Sequence, residues 1–368
     1  MRCTFVFLPA IATTCVLTVL YLYIVSSTVF PIAPKTNLSN GSRPTVDGKM
    51  IVKVLCIDDK AYGQTFNMIL TIAVAQTMAF ELAKGLDSSE TTKVKVGLGP
   101  SFSNFFDAVL EPKDDILLNY IPSESGEGYT VCHYNYTSEH LFRRMFEIDW
   151  NVDTRVQNLQ LLIPTKSIRE NAMSYLQKLK GPSMQSADGS DYNSSIVTTV
   201  HRRNFEGKCQ MFTLNRSKVI CMDPQTWNRR DSLNFFSDND LAKFCNLDYS
   251  MIQSDLRNKN NYGGNDIVLL CSDRQAPKYD KTFPHIVSIA PDISNDNEKL
   301  DKAIMVVTEA WIMTLSDIHY GNPMSTVDAV VNVWRNNPEV QKQVQQRQYP
   351  NGTYYPREMR PVECFGSD

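Results

Sequence analysis

Ile196–Cys209 reads IVTTVHRRNFEGKC: a β-favouring run that ends in a histidine and two adjacent arginines, then an acid, a glycine and a cysteine. A strand whose end carries guanidinium groups suits a phosphate, because arginine offers a planar fork of donors and a permanent charge. The plainer reading is a solvated basic strand end. The stretches on either side decide between the two.

Downstream the chain alternates strands and helices. Asp238 to about Lys259 reads as a helix, Asn265–Asp273 (NDIVLLCSD) as a strand ending in an acid, and His285–Pro291 as another strand. Asn297–Leu315 has apolar residues at helical spacing. SDIHYGNP then reads as a turn into a helix that starts near Ser325 and ends before Pro338, with Ser325 and Asp328 as a capping pair. A tight turn running into a helix start presents free N–H groups and the positive dipole end, which receive anions.

Upstream the alternation is the same. Met50–Ile57 reads as a buried strand, Thr65–Lys84 as a buried core helix stopped by Gly85, and Lys93–Gly99, Asp115–Ile121 and Tyr129–Tyr134 as strands. Ser138–Ile148 and Ser167–Pro182 read as helices, the second with a capping box of Ser167 and Glu170. Between the halves lies a polar stretch, 183–195, the expected linker. This gives an α/β fold with an N-terminal domain over 49–182 and a C-terminal domain over 196–368.

The N-terminus is different in kind. Phe5–Phe30 is nearly free of charge and long enough to span a bilayer, behind a basic tail, 1–4. The expectation is a type II signal anchor with Arg2 in the cytosol, a long cleaved signal peptide being the alternative. Residues 31–48, rich in Pro, Asn, Ser and Gly, form a stem. Six sequons, at Asn37, Asn40, Asn135, Asn193, Asn215 and Asn351, agree with translocation and glycosylation of the chain beyond the anchor. Of nine cysteines, seven lie beyond the anchor, so in an oxidising lumen some should pair and at least one should be left over; Cys209 with Cys221 looks like a local loop closure. A net charge of −3 argues against a nucleic-acid surface.

No CxxC pair or HExxH is present. Asp238-Asn-Asp240 has the form of an acidic metal-binding triplet, but Asp238 also sits where a helix cap is expected, which is the better reading. The five histidines have no ligand spacing, with His319 beside the GNP turn left open, and Trp311 and Trp334 fall where core packing is expected.

VHRRNFEG, VLLCSDRQ and LSDIHYGNPMSTVDAVV, in that order and spacing, resemble blocks of the fucosyltransferase superfamily that includes the α1,2-, α1,6- and protein O-fucosyltransferases. AYGQTFNMILTIAVA, at Ala61–Ala75, is similar to that group's early loop and first helix. The resemblance implies a GT-B architecture of two Rossmann-like domains facing across a cleft, with GDP-fucose as donor, inversion at the sugar carbon and no bound metal or cofactor. It further implies that Arg202 and Arg203 contact the donor diphosphate and that Asp273 lies by the nucleoside. Asp317, Asn322, Ser325 and Thr326 would bind phosphate or order their loop, and Gly63, Gln64 and Asn67 would line the cleft from the other domain. The resemblance also puts His201 at the donor site, with one departure: the family carries His-X-Arg-Arg, whereas His201 here directly precedes Arg202. For the base that takes the acceptor's proton, Glu206 comes first and Asp58 and Asp59 next.

The expected partners are a nucleotide sugar, a glycan or glycoprotein acceptor, and a Golgi or ER membrane. A silent lumenal ectodomain that binds a glycan or protein, and a transferase using another nucleotide sugar, are the alternatives.

Overall fold

In the computed structural model the described residues are 52–58, 65–86, 93–120, 132–144, 152–180, 196–202, 248–258, 267–272, 283–287, 298–321 and 325–342. The anchor, stem, linker and Cys209–Cys221 expectations lie outside them, as does the Asp238-Asn-Asp240 triplet.

The first half contains β1 (Val52–Ile57), α1 (Thr65–Lys84), β2 (Lys93–Leu98), α2 (Pro100–Val109), β3 (Ile116–Leu117), β4 (Tyr134–Tyr136), α3 (Ser138–Arg144), α4 (Val152–Leu161) and α5 (Lys166–Lys180). The second contains β5 (Val197–Arg202), α6 (Tyr249–Asn258), β6 (Ile267–Ser272), β7 (His285–Ile286), α7 (Glu298–Leu315), β8 (Ile318–Tyr320) and α8 (Thr326–Arg335). The strands form two four-stranded sheets, in the orders β3-β2-β1-β4 and β7-β6-β5-β8. Every pairing between these strands is parallel. The two halves therefore share one strand order, that of a Rossmann-type half, although no short sequence repeat marks it.

Parallel strands buried on both faces tend to be near-continuous apolar runs, as β6 is; β5 is equally buried but carries Thr198, Thr199, His201 and Arg202 between and beyond its two valines. Val197 and, on β6, Leu269 and Cys271 face the main core; Val200, Val268 and Leu270 face a smaller cluster with Ile252 and Leu256 of α6. Helix α1 meets the length and composition of a membrane span, but Phe66 and most residues from Met68 to Ala79 are buried inside the fold. It is the core helix its interrupted apolar run implies.

One core joins the halves. Leu55, Val96 and Phe102 belong to the same buried cluster as Val197, Trp311 and Trp334. The Trp311 and Trp334 rings meet edge to face at 5.4 Å, and Trp334 Nε1 donates to the Leu162 carbonyl at 3.1 Å. The tryptophans are packing residues, as their spacing implies.

Several boundaries moved. Helices α2 and α4 have no counterpart in the sequence reading, and β8 lies in what reads as a turn. Helix α5 begins at Lys166, and the Arg169 N–H bonds the Thr165 carbonyl, so the chain enters the helix two residues before Ser167. Of the expected Tyr129–Tyr134 strand, residues 129–131 lie outside the described residues, and the strand described there is Tyr134–Tyr136. Helix α6 is capped by Asp248, whose Oδ1 accepts the Met251 N–H at 2.9 Å; residues 238–247 lie outside the described residues.

Candidate functional site

The order β7-β6-β5-β8 reverses direction between β5 and β8, and in open parallel sheets ligands bind beyond the carboxyl ends of strands at such a switch point. His201 and Arg202 are the last two residues of β5, Tyr320 ends β8, and α8 begins five residues after Gly321. Ser325 caps α8 through its Oγ, which accepts the Val327 N–H at 3.2 Å. Thr326 opens the helix, half-buried.

One contact ties the strand end to the helix start. His201 Nδ1 lies 2.6 Å from Asp328 Oδ2, and Asp328 stands in the first turn of α8. The other carboxylate oxygen is 2.8 Å from His319 Nε2, so one buried acid is gripped by imidazoles from two adjacent strands. The chain of contacts continues inward: His319 Nδ1 to Thr199 Oγ1 at 2.9 Å, Thr199 Oγ1 to Ser316 Oγ at 2.7 Å, and Arg335 Nη1 to Ser316 Oγ at 3.1 Å. Period-2 alternation puts Val197, Thr199 and His201 on one face of β5, and Arg202 on the other, towards the start of α6.

Electrostatics follow from burial. Burial pushes the His319 imidazole below its ordinary pKa; Asp328 pulls it up, while Arg335 and His201 add to the downward side. Burial raises the Asp328 carboxyl, but the His201 charge and hydrogen bonds from both imidazoles outweigh it and hold the acid below its usual range. On the other face, burial raises Asp248, yet bonds from Ser250 and Met251 and the Arg202 charge leave it below the ordinary value. Burial, with Glu309 and Asp328 nearby, holds the Cys271 thiol well above its usual value, so it is an inert core thiol.

The two shifts in the relay set a pH dependence. His319 titrates lower folded than unfolded, so the unfolded chain takes the proton first and stability falls as pH drops below about 6.5. Asp328, also depressed, contributes stability that is lost further down, as pH falls through its folded value. Urea midpoints at pH 8 and pH 5.5 should therefore separate in the wild type. They should draw closer together in His319→Gln; an unchanged gap would remove His319 as the source.

The expected site residues divide between the two ends of the second sheet and the first half. His201 meets the first turn of α8, which Ser325 caps and Thr326 opens, while Arg202, the next residue of β5, lies on the opposite face near Asp248. Asp317 does not join them: its Oδ2 accepts the Val197 N–H at 2.8 Å, at the opposite end of β5, and its carbonyl accepts Arg335. Asn67 sits in the first turn of α1, beside Phe66, whose ring is 6.2 Å from that of Trp334; Trp334 is eight residues along α8 from Thr326, roughly 12 Å. Asp58, an alternative base, has an Oδ1 that accepts the Ser138 N–H at 2.6 Å, so it caps α3. Arg203, Glu206, Asp273, Asn322, Gly63, Gln64 and Asp59 lie outside the described residues.

Of the sequons, Asn135 alone falls within the described residues; it is exposed on the edge strand β4. Cys56 and Cys132 form a disulfide with a Cα–Cα distance of 5.7 Å. Among the described residues no group of three His, Cys, Asp or Glu is placed to hold a metal ion.

Asp328 was legible only as half of a capping pair. Its part in the relay had one sequence signal: Thr199 and His201 share a face of β5, and His319 precedes Asp328 by nine residues across the turn.

No protein-family model matches the chain, and no curated protein matches it. Solved structures do. The chain is similar to the NodZ α-1,6-fucosyltransferase soaked with GDP-fucose, at 10% identity and a TM-score of 0.41 over 78% of this chain and 93% of that one. It is similar to POFUT1 in its apo form, at 11% and 0.44 over 80% and 98%. POFUT1 in complex with GDP-fucose gives 12% and 0.42 over 77% and 94%. The likeness is to fucosyltransferases. Similarity of this degree assigns no role to any residue, so function has to be argued from the site itself.

Proposed function

We propose that the chain is a glycosyltransferase of the secretory pathway that moves fucose from GDP-fucose to a hydroxyl of a glycan or protein, with inversion and without a metal. In this reading 49–182 forms the acceptor-side domain and 196–368 the donor-side domain of a GT-B layout. Residues 5–30 anchor it, type II, in a Golgi or ER membrane, and the exposed Asn135 is one glycan carrier.

The observation that carries the reading is the 2.6 Å contact between His201 and Asp328. It supports one mouth shared by the arginine-bearing end of β5 and the Ser325-capped start of α8, at the switch point of a parallel sheet. A nucleoside diphosphate suits such a mouth. Guanidinium groups from Arg202 and Arg203 and the N–H groups opening α8 meet its negative charge. The same groups stabilise the charge that grows on the departing diphosphate as the bond to the sugar breaks, which is where electrostatic catalysis has its effect. The sugar's identity rests on the sequence resemblance of the three blocks.

The test is ligand-induced stabilisation of the lumenal part, 45–368, in EDTA. GDP is expected to raise its melting temperature more than UDP or CMP, because a ligand selective for the native state stabilises it by mass action. Arg203→Ala should remove both the GDP shift and transfer while leaving the unliganded melting temperature in place. Equal response to all three nucleotides would overturn the donor assignment, and binding without turnover would favour a silent ectodomain.

A further inference from the structure

The hydrogen bonds behind the strand end have a direction at Asp328, and that direction fixes His201 near the end of β5. Arginine only donates, so Arg335 Nη1 gives a proton to Ser316 Oγ. An ionised carboxylate only accepts, so Asp328 must receive from His319 Nε2 on one oxygen and His201 Nδ1 on the other. His319 Nε2 then carries its proton and its Nδ1 accepts from the Thr199 hydroxyl, while the neighbouring Ser316 hydroxyl also reaches the Met313 and Ile318 carbonyls at 2.8 and 3.0 Å. Both imidazoles point a proton at Asp328. The histidine at the strand end is therefore held with its proton on Nδ1, and the lone pair of the neutral ring is on Nε2.

Burial makes this arrangement stiff. His201 and Asp328 are about one-twentieth exposed, and His319 is fully enclosed. Asp328 is also anchored to α8, which Arg335 bonds back to the end of α7. A carboxylate this fixed has little freedom to release the imidazole. Nothing about packing alone calls for two histidines around one acid at the carboxyl end of a parallel sheet, since buried polar groups add desolvation cost.

We infer that Asp328 is a positioning residue that holds His201 in the Nδ1–H form, and that His201 Nε2 is the proton acceptor for the nucleophile in the proposed transfer. This rests on the donor-site reading above, and it puts His201 in place of Glu206. The step balances with water as the simplest nucleophile. The water oxygen bonds the fucose anomeric carbon, and the bond from that carbon to the diphosphate oxygen breaks. The bonding pair leaves on GDP. The proton lost by the water is taken by Nε2, and Asp328 faces the imidazolium that results.

Two measurements on residues 45–368 test this. In the first, ¹⁵N NMR of the histidine rings at pH 8, with His201 assigned by the signal lost in His201→Gln, should show Nδ1 protonated and Nε2 bare. A proton on Nε2 overturns the inference without reference to activity. In the second, Asp328→Asn keeps the size but removes the charge that faces the imidazolium and leaves only one acceptor atom for the two rings. GDP-fucose hydrolysis should then lose about 10²- to 10⁴-fold in kcat, with KM and the GDP melting shift nearly unchanged. His201→Gln should lose as much. If Asp328→Asn does not fold, His201→Gln and the wild-type spectrum carry the test. Wild-type kcat in either folded variant overturns the inference and leaves the proposed function standing. A wild-type chain that binds no GDP and hydrolyses no GDP-fucose overturns both.

Discussion

Arg335→Met is expected to cost about 4 kcal/mol of stability, because it strands several buried acceptors at once. The Arg335 guanidinium lies where α7 ends. It donates to the carbonyls of Met313 at 2.7 Å, Ser316 at 2.8 Å and Asp317 at 3.2 Å, with a longer contact to Thr314. The last turn of a helix leaves carbonyls without intrahelical partners and carries the negative dipole end, so a cation there answers both needs. Methionine fills much of the volume but has no donor, and each unpaired buried carbonyl costs about 1–3 kcal/mol. Arg335→Lys should recover part of the loss, since an ammonium supplies charge but not a planar fork. Thermal melts decide the matter: at about 2 °C per kcal/mol for a chain of this size, the Met variant should fall by roughly 8 °C. A melting temperature within a degree of wild type would show that the carbonyls find other partners.

Breaking the Cys56–Cys132 disulfide should have an effect of the same order. The bond joins β1 to the segment leading into β4, closing a loop with a sequence separation of 76. On the chain-entropy account, a loop of that length restricts the unfolded chain by about 4 kcal/mol at room temperature. Cys132→Ser should therefore melt below wild type, and reducing agent should lower wild type by at least as much, since it also opens any further pair such as the expected Cys209–Cys221 closure. If reduction changes nothing in wild type, the bond contributes no stability and its role is confined to holding the edge strand. Cys271 is enclosed and shows why not every cysteine joins such a bond.

The two predictions also mark what the sequence could and could not tell. Helix α1 was readable to the residue, because a long apolar run with a glycine stop has only one good solution. Helix α8 was readable from Ser325, whose capping role the structure bears out. Strand β8 was not. Ser316, Asp317 and Gly321 carry turn chemistry, and only pairing with Thr198–Val200 of β5 makes Ile318–Tyr320 a strand. Helix α2 was hidden for a different reason: Gly99-Pro100 reads as a stop, but proline at the first helical position is a start.

The site divides in the same way. The meeting of the end of β5 with the start of α8 follows from strand ends and helix starts, which local sequence encodes. Asp317 looks like a ligand in sequence because an acid before a Gly-Asn-Pro turn reads as polar loop chemistry, yet register puts it at the amino end of β5, bonded to Val197. Asp58 likewise reads as a free acid and is used to start α3. Neither assignment can be made without knowing which end of which strand a residue occupies.

Trp311 and Trp334 sit in a core that also holds Leu55, Phe66 and Val96, so a swing of one half away from the other would wet all of that apolar surface. Opening the two halves like a clamshell therefore carries the whole cost of that exposure, and the shared cluster holds them as one body.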